Sequence, residues 1–205
     1  MNYITFAKEL KDYPAFNLKD ISRLSGKVYY HRLDEWQKKG YIKRIANGVF
    51  TFADSDIDEN YLYYFSNKVY EPSYVSLESA LSHYGFIPET VYNVTAITTK
   101  KTKEFDYHSN KFYYRNIKRP LFFGYRLMSF RNTVIRFAEP EKALIDFFYL
   151  KPHQNTMDHV EELRLNPWTI EEQIDWNKIE NYLEYINNRQ LTNRINNVKK
   201  WYENA

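Results

Sequence analysis

The sequence contains no cysteine, which excludes disulfides, thiolate metal sites and a cysteine nucleophile. Its five glycines are scattered, so no glycine-rich loop is available to cradle a nucleotide phosphate. No apolar run approaches the ~18 residues that a membrane span needs, and the opening MNYITFAKELKDYP has no apolar leader core. A cytoplasmic protein with no membrane partner is expected. The histidines fall at no metal-ligand spacing: His153 and His159 flank Asp158 but lie six apart in a loop-like stretch. Asp54, Asp56 and Asp58 begin like a calcium loop. The sixth and twelfth positions of such a loop need glycine and glutamate, and here they are Glu59 and Phe65. No metal or cofactor is expected.

What is present is an ordinary globular composition, 43% hydrophobic and 27% charged over 205 residues, enough for one large domain or two small ones. Aromatics reach 19%, with 20 tyrosines, which suits thin cores, interfaces or base stacking. The net charge of +3 hides a pattern. Residues 1–53 carry ten Lys/Arg against five Asp/Glu, and residues 100–136 carry ten against two. Residues 54–99 carry one against seven, and the remainder eight against twelve. Alternating basic and acidic zones point to polyanion-facing surfaces.

In the N-terminal segment, Tyr3, Phe6, Leu10 and Tyr13 recur at helical spacing, and Pro14 closes that helix. Asn17 with Asp20 three residues on reads as a capping box for a short second helix carrying Leu18, Ile21 and Leu24. A third helix is expected from about Lys27 to Lys39, with Tyr29, Leu33 and Trp36 facing inward, ended by Gly40. Asn47-Gly48 is a strong two-residue hairpin signal. Such a turn would pair Ile45 with Phe50 and Lys43 with Phe52 on the inner face. Arg44 with Thr51 and Ala46 with Val49 would then face outward.

Three helices followed by a hairpin predict a winged helix-turn-helix over residues 1–53. The third helix would enter the major groove, and the wing would touch the neighbouring backbone. Lys27, Lys38, Lys43 and Arg44 are the expected phosphate ligands, with Asn47 at the wing tip. Tyr30 and His31 are placed to reach base edges. Asp34 shares their face and either accepts from a cytosine or sits beyond the groove.

ADSDIDEN (54–60, with Ala53) reads as an acidic linker, and residues 61–205 as a larger α+β lobe with C-terminal helices. Within it, 61–70 looks helical with Leu62, Phe65 and Val69 on one stripe. Residues 74–90 read as an extended entry, a helix and a glycine stop. Strands are expected at 91–99, 111–117, 121–130 and 133–138. Helices are expected at 139–150, 176–188 and 191–203.

The ordered set FNLKDI, GYIKRI, NGVF, SYVSLESALSHYG, FFGY, IRFAEPEKALID and ELRLN resembles the AbiEi-type antitoxins of bacterial abortive-infection toxin–antitoxin systems. The resemblance implies a transcriptional autorepressor that binds inverted repeats in its own promoter, as a monomer or weak dimer paired on the double-stranded DNA. It also implies a role in phage resistance, in which the second lobe counters a co-encoded nucleotidyltransferase-like toxin without a stable complex. Glu141 and Lys142 become candidates for part of the antitoxic surface. The wing departs from the family, which often has arginine where this chain has Asn47.

Two further readings remain open. In the block 100–136, Lys100, Lys101, Lys103, Lys111, Arg115, Lys118, Arg119, Arg126, Arg131 and Arg136 interleave with Phe105, Tyr107, Tyr113, Tyr114, Phe122 and Tyr125. That pattern fits a second polyanion surface for RNA or DNA. A strand that exposes alternate basic residues with aromatics inside gives the same pattern and is the preferred reading. Glu139, Glu141 and Lys142 are reminiscent of a metal-dependent nuclease, but their spacing is wrong, and acids with Pro140 suit a helix start. Ser79 and His83 lie one helical turn apart without a nucleophile elbow. The chain is therefore expected not to be an enzyme. A winged helix that docks protein is the third alternative.

Overall fold

The computed structural model describes residues 1–46, 48–107 and 110–204. The fold is mixed α and β, with ten α-helices and two sheets among the described residues. No helix there is long and apolar enough to cross a membrane. By its contacts the chain divides into two compact units. One comprises Met1–Pro72 with Leu127–Arg136, and the other Ser73–Arg126 with the chain from Phe137 onward.

In the first unit, helix α1 (Tyr3–Leu10) is capped by Asn2, whose side chain accepts from the Thr5 amide. A two-residue strand β1 (Phe16–Asn17) leads into the short helix α2 (Leu18–Ile21). The Asn17–Asp20 capping box is present in full: the Asn17 side-chain Oδ1 accepts from the Asp20 backbone amide (3.0 Å), and the Asp20 carboxylate accepts from the Asn17 backbone amide (2.7 Å). Helix α3 spans Tyr30–Lys38, and strands β2 (Ile42–Ala46) and β3 (Val49–Phe52) follow. The three strands form an antiparallel sheet in the order β1-β3-β2. Phe6, Leu10, Phe16, Ile21, Leu33, Trp36, Ile42 and Phe50 make one core.

Three expectations change here. Tyr29 is not on the inner face; it stands at the N-cap of a shorter α3 and is 54% exposed, and Val28 packs against the core instead. The hairpin register is also displaced. Ile42 pairs with Phe52, Lys43 with Thr51 and Arg44 with Phe50, and a bulge before Ala46 restores the Ala46–Val49 pair. The bulge inserts one unpaired residue, so Ile42 and Ile45 are both buried while the consecutive Lys43 and Arg44 are both exposed. A strictly alternating strand could not do this.

Finally, the sheet face expected to meet solvent is covered. Val49 and Thr51 are buried, at 5% and 2% exposure, and helix α4 (Glu59–Val69), which Asp58 caps, packs onto Thr51 through Tyr61. Thr51 donates to the Pro14 carbonyl (2.9 Å) and accepts from the Tyr61 hydroxyl (2.8 Å). Tyr64 donates to the Ala15 carbonyl (3.1 Å) in a buried contact, and Lys68 pairs with Asp20 at 2.7 Å with both side chains 14% exposed. The helix expected to open the second lobe thus belongs to the first unit, with Tyr61, Tyr64 and Phe65, rather than Leu62 and Val69, on its buried face.

The second unit contains β4 (Ser73–Val75), α5 (Glu78–His83), β5 (Val94–Thr98), β6 (Lys103–Tyr107) and β7 (Asn110–Asn116). A hairpin of β8 (Tyr125–Phe130) and β9 (Thr133–Ala138) follows, its distal part grouping with the first unit. The strand order is β6-β7-β5-β4-β9-β8; β5 runs parallel to β7, and β4 to β9. Helices α6 (Pro140–Leu150), α7 (Met157–Glu162), α8 (Pro167–Gln173), α9 (Trp176–Ile186) and α10 (Arg189–Glu203) complete it. Helix α6 is the central rod, buried continuously from Glu141 to Phe148.

Candidate nucleic-acid interface

Helix α3 presents one polar stripe. Leu33 and Trp36 anchor it to the core, and this leaves Tyr30, His31, Asp34 and Lys38 exposed, a spacing that keeps them on a common face. Just before the helix, Lys27 lies 5.0 Å from the centroid of the Tyr29 ring. Tyr29 in turn stacks on His31, at 5.7 Å between centroids and 17° between planes. Tyr29, displaced outward from its expected place, thereby bridges two of the expected contact residues. Its signal was missed because an apolar ring at helical spacing reads first as core.

The charges on this helix divide by flank. Glu35 accepts from Lys39 and from Arg32, each at 2.8 Å, and these hydrogen bonds, Lys39 first, lower its pKa to about 2. Those two cations are committed to a carboxylate. Lys27, Lys38 and Lys43 have no carboxylate partner among the described residues. Arg44 is exposed on β2 next to Lys43. Asn47, expected at the wing tip, lies outside the described residues. The structure therefore brings Lys27, Tyr30, His31, Lys38, Lys43 and Arg44 together as exposed groups of one compact unit.

The second set of cations is dispersed. Lys100, Lys101, Lys103, Lys111, Lys118, Arg119 and Arg126 are exposed and Arg115 is half-buried, while Tyr107, Phe112 and Tyr114 are buried behind them. Phe105, Tyr113, Phe122 and Tyr125 are half-buried, so the block combines rings turned inward with rings that keep part of their surface outside. Arg131 and Arg136 belong to the first unit, where Arg136 lies 4.0 Å from Glu71. Arg126 sits over the Tyr84 ring (5.6 Å).

Glu141 and Lys142 cannot form a surface as expected. They are 4% and 0% exposed. Lys142 pairs with Asp146 one helical turn on, and its ammonium also donates to the Tyr74 hydroxyl (2.9 Å). Tyr74 and Ser76 donate to the second Asp146 oxygen, at 2.9 and 2.8 Å. Burial, then the Asp146 charge, pushes the Tyr74 pKa well above its ordinary value, so it remains a donor. Glu141 accepts from the Asp175 amide (3.2 Å). Its other oxygen lies 3.1 Å from Lys178, an ion contact outside hydrogen-bond geometry. Lys178 reaches Glu139 at 3.2 Å as well, and Tyr182 donates to Glu139 (2.6 Å). Every charge of the Glu-Pro-Glu-Lys segment is thus engaged internally. Ser79, buried, exchanges hydrogen bonds with Thr95 and donates to the Asn93 carbonyl, and His83 packs on Phe137.

No group of three or more His, Asp or Glu side chains among the described residues is arranged to hold a metal. No family model matches the chain, and no curated protein matches it.

Proposed function

We propose that this chain is a DNA-binding transcriptional regulator whose first unit works as a winged helix. The observation that carries the reading is the exposed α3 stripe flanked by unneutralised lysines. Tyr30, His31 and Lys38 face outward, with Lys27 before the helix and Lys43 on the following hairpin. Lysines without carboxylate partners are the groups that neutralise phosphates and release counterions. Polar and aromatic groups at the start of such a helix suit contact with base edges. The order of three helices and a three-stranded sheet supports α3 as the recognition helix. The bulge in β2 favours the same use, because it turns two consecutive cations outward.

The sequence resemblance extends the proposal: the regulator is an antitoxin, repressing its own promoter at inverted repeats and countering a nucleotidyltransferase-like toxin. With Glu141 and Lys142 buried, whatever surface does the countering lies elsewhere on the chain. The test is a mobility-shift titration of duplex DNA from upstream of the coding sequence, across a salt series. Specific binding is expected, with the log–log salt slope reduced by about one for each of Lys38→Ala and Lys43→Ala. Equal affinity for unrelated duplex DNA, or slopes unchanged in both variants, sinks the reading.

A further inference from the structure

The second unit carries a groove that duplex binding by α3 leaves unexplained. Its volume is about 630 Å³, within the range of small-ligand sites. Two tyrosines line it, Tyr92 and Tyr113, together with Arg115, Lys151, Asn93 and Thr95. Tyr92 is 80% exposed, an unusual display for so large a ring. Tyr113 and Arg115 are alternate residues of β7 and so share a face. The parallel pairing Thr95–Tyr113 and Ile97–Arg115 fixes their position. The Arg115 guanidinium lies 5.5 Å from the Tyr113 ring centroid.

The cation is only loosely held. Arg115 meets Glu104 at 3.5 Å with the two side chains 42% and 62% exposed, a contact that an incoming phosphate can replace with little loss. Lys151 pairs with Glu78 at the same groove (2.5 Å). Among the described residues the Asn93 side-chain amide has no hydrogen-bond partner, so both its donors and its acceptor remain for a ligand. The floor is rigid: Thr95 and Ser79 exchange hydrogen bonds at 2.8 and 3.0 Å, and Thr95 donates to the Ser76 carbonyl at 2.6 Å. Leu77, also lining the groove, is held at φ 58°, ψ −138° while 4% exposed. A leucine keeps such a backbone only where its surroundings over-determine it, and such residues cluster at ligand sites.

We infer that this groove binds a nucleoside phosphate, with the base stacked on Tyr113 or Tyr92 and the phosphate held by Arg115. Rings offer a sequence-tolerant π-face, and the guanidinium offers a forked anion donor. The unpaired amide supplies contact to a base edge. Free nucleotides and single-stranded RNA share this chemistry, and the test separates them.

The full-length protein is titrated with a labelled oligouridine of roughly ten nucleotides, read by fluorescence anisotropy, and then competed with adenosine monophosphate. Arg115→Gln and Tyr113→Ala are each expected to weaken oligonucleotide binding about tenfold. Tyr113→Phe, which keeps the ring, holds wild-type affinity, as does the surface control Lys200→Ala. Competition by the mononucleotide identifies a free nucleotide as sufficient occupant; oligonucleotide binding without competition identifies a strand. Binding of neither ligand overturns the inference. So does binding untouched by both groove variants, or weakened as much by Lys200→Ala as by Arg115→Gln. The duplex titrations above read α3 and β2 variants, so failure of one proposal leaves the other standing.

Discussion

Lys38 and Lys142 are both helical lysines in charged stretches, and the two units use them in opposite ways. Lys38 stands on an exposed stripe with no carboxylate partner among the described residues. Lys142 is fully buried among Asp146, Tyr74 and the Phe123 ring, whose centroid is 5.2 Å away. The first unit keeps Lys27, Lys38 and Lys43 exposed and without carboxylate partners among the described residues, where a polyanion can reach them. The second consumes a cation to hold a strand, a helix and the Phe-Phe-Gly-Tyr turn in one arrangement. A lysine is almost never fully buried unless paired, and breaking such a pair costs far more than removing a surface charge.

That contrast can be broken most sharply at Lys142. Lys142→Ala leaves the Asp146 carboxylate buried with two neutral donors, and urea denaturation should show a loss of about 3–5 kcal/mol. A loss below ~1 kcal/mol would mean that water reaches the pair. Next in size is Gly124→Ala. Its Cβ would lie 2.9 Å from Lys142 Cγ at a φ of +70°, and overpacking of this kind costs about 1–3 kcal/mol on the same assay. Asn17→Ala removes the α2 capping box from the first unit and should cost about 1 kcal/mol in thermal or urea unfolding. Lys38→Ala should leave stability within ~0.5 kcal/mol while weakening duplex binding. The smallest effect belongs to Glu35→Gln, which frees Arg32 and Lys39. It should raise duplex affinity slightly at low salt and leave it unchanged at high salt, where screening erases exposed charges.

Much of the first unit was legible because its signals are local. The Asn17–Asp20 box, the core spacing of Phe6, Leu10, Leu33 and Trp36, and the position of the hairpin all follow from neighbours within a few residues. The bulge was not legible, since the turn residues imply a register without it; the strand pairing shows it, and the joint burial of Ile42 and Ile45 is its consequence. The cover over Thr51 depends on contacts across the chain, Tyr61 to Thr51 and Tyr64 to Ala15. Tyrosine, being amphipathic, does not announce which side it buries. In the second unit, β6 escaped because KEFDY carries three charges in five residues and is mostly exposed, which suits an edge strand but dilutes the apolar signal. Helices α7 and α8 have six and seven residues, too few for periodicity to speak.

The burial of Lys142 had a faint trace in the sequence: an acid at the i+4 position and a glycine in the Phe-Phe-Gly-Tyr stretch. Hydropathy argues the other way for any lysine, so the trace reads clearly only once Gly124 is seen to leave room for the side chain. On the exposed face, Lys38, Tyr30 and His31 were legible because helical spacing is enough to place them outward, whereas Lys43, which an unbulged register turns inward, is exposed only through the bulge. Tyr29 was not, because the start of α3 lies three residues later than its apolar pattern suggests.

The lid that α4 forms over β3 has an implication for how this chain could be inherited. A gene rearrangement that cut within the acidic segment would transplant a sheet whose Thr51 and Ala15 polar atoms had lost their tyrosine hydroxyl partners. The smallest transferable piece runs at least through Pro72, and the tip Leu127–Arg136 belongs to the same unit although it is encoded far downstream. Exposed positions on α3 and β2 therefore change more readily one residue at a time than by exchange of whole blocks.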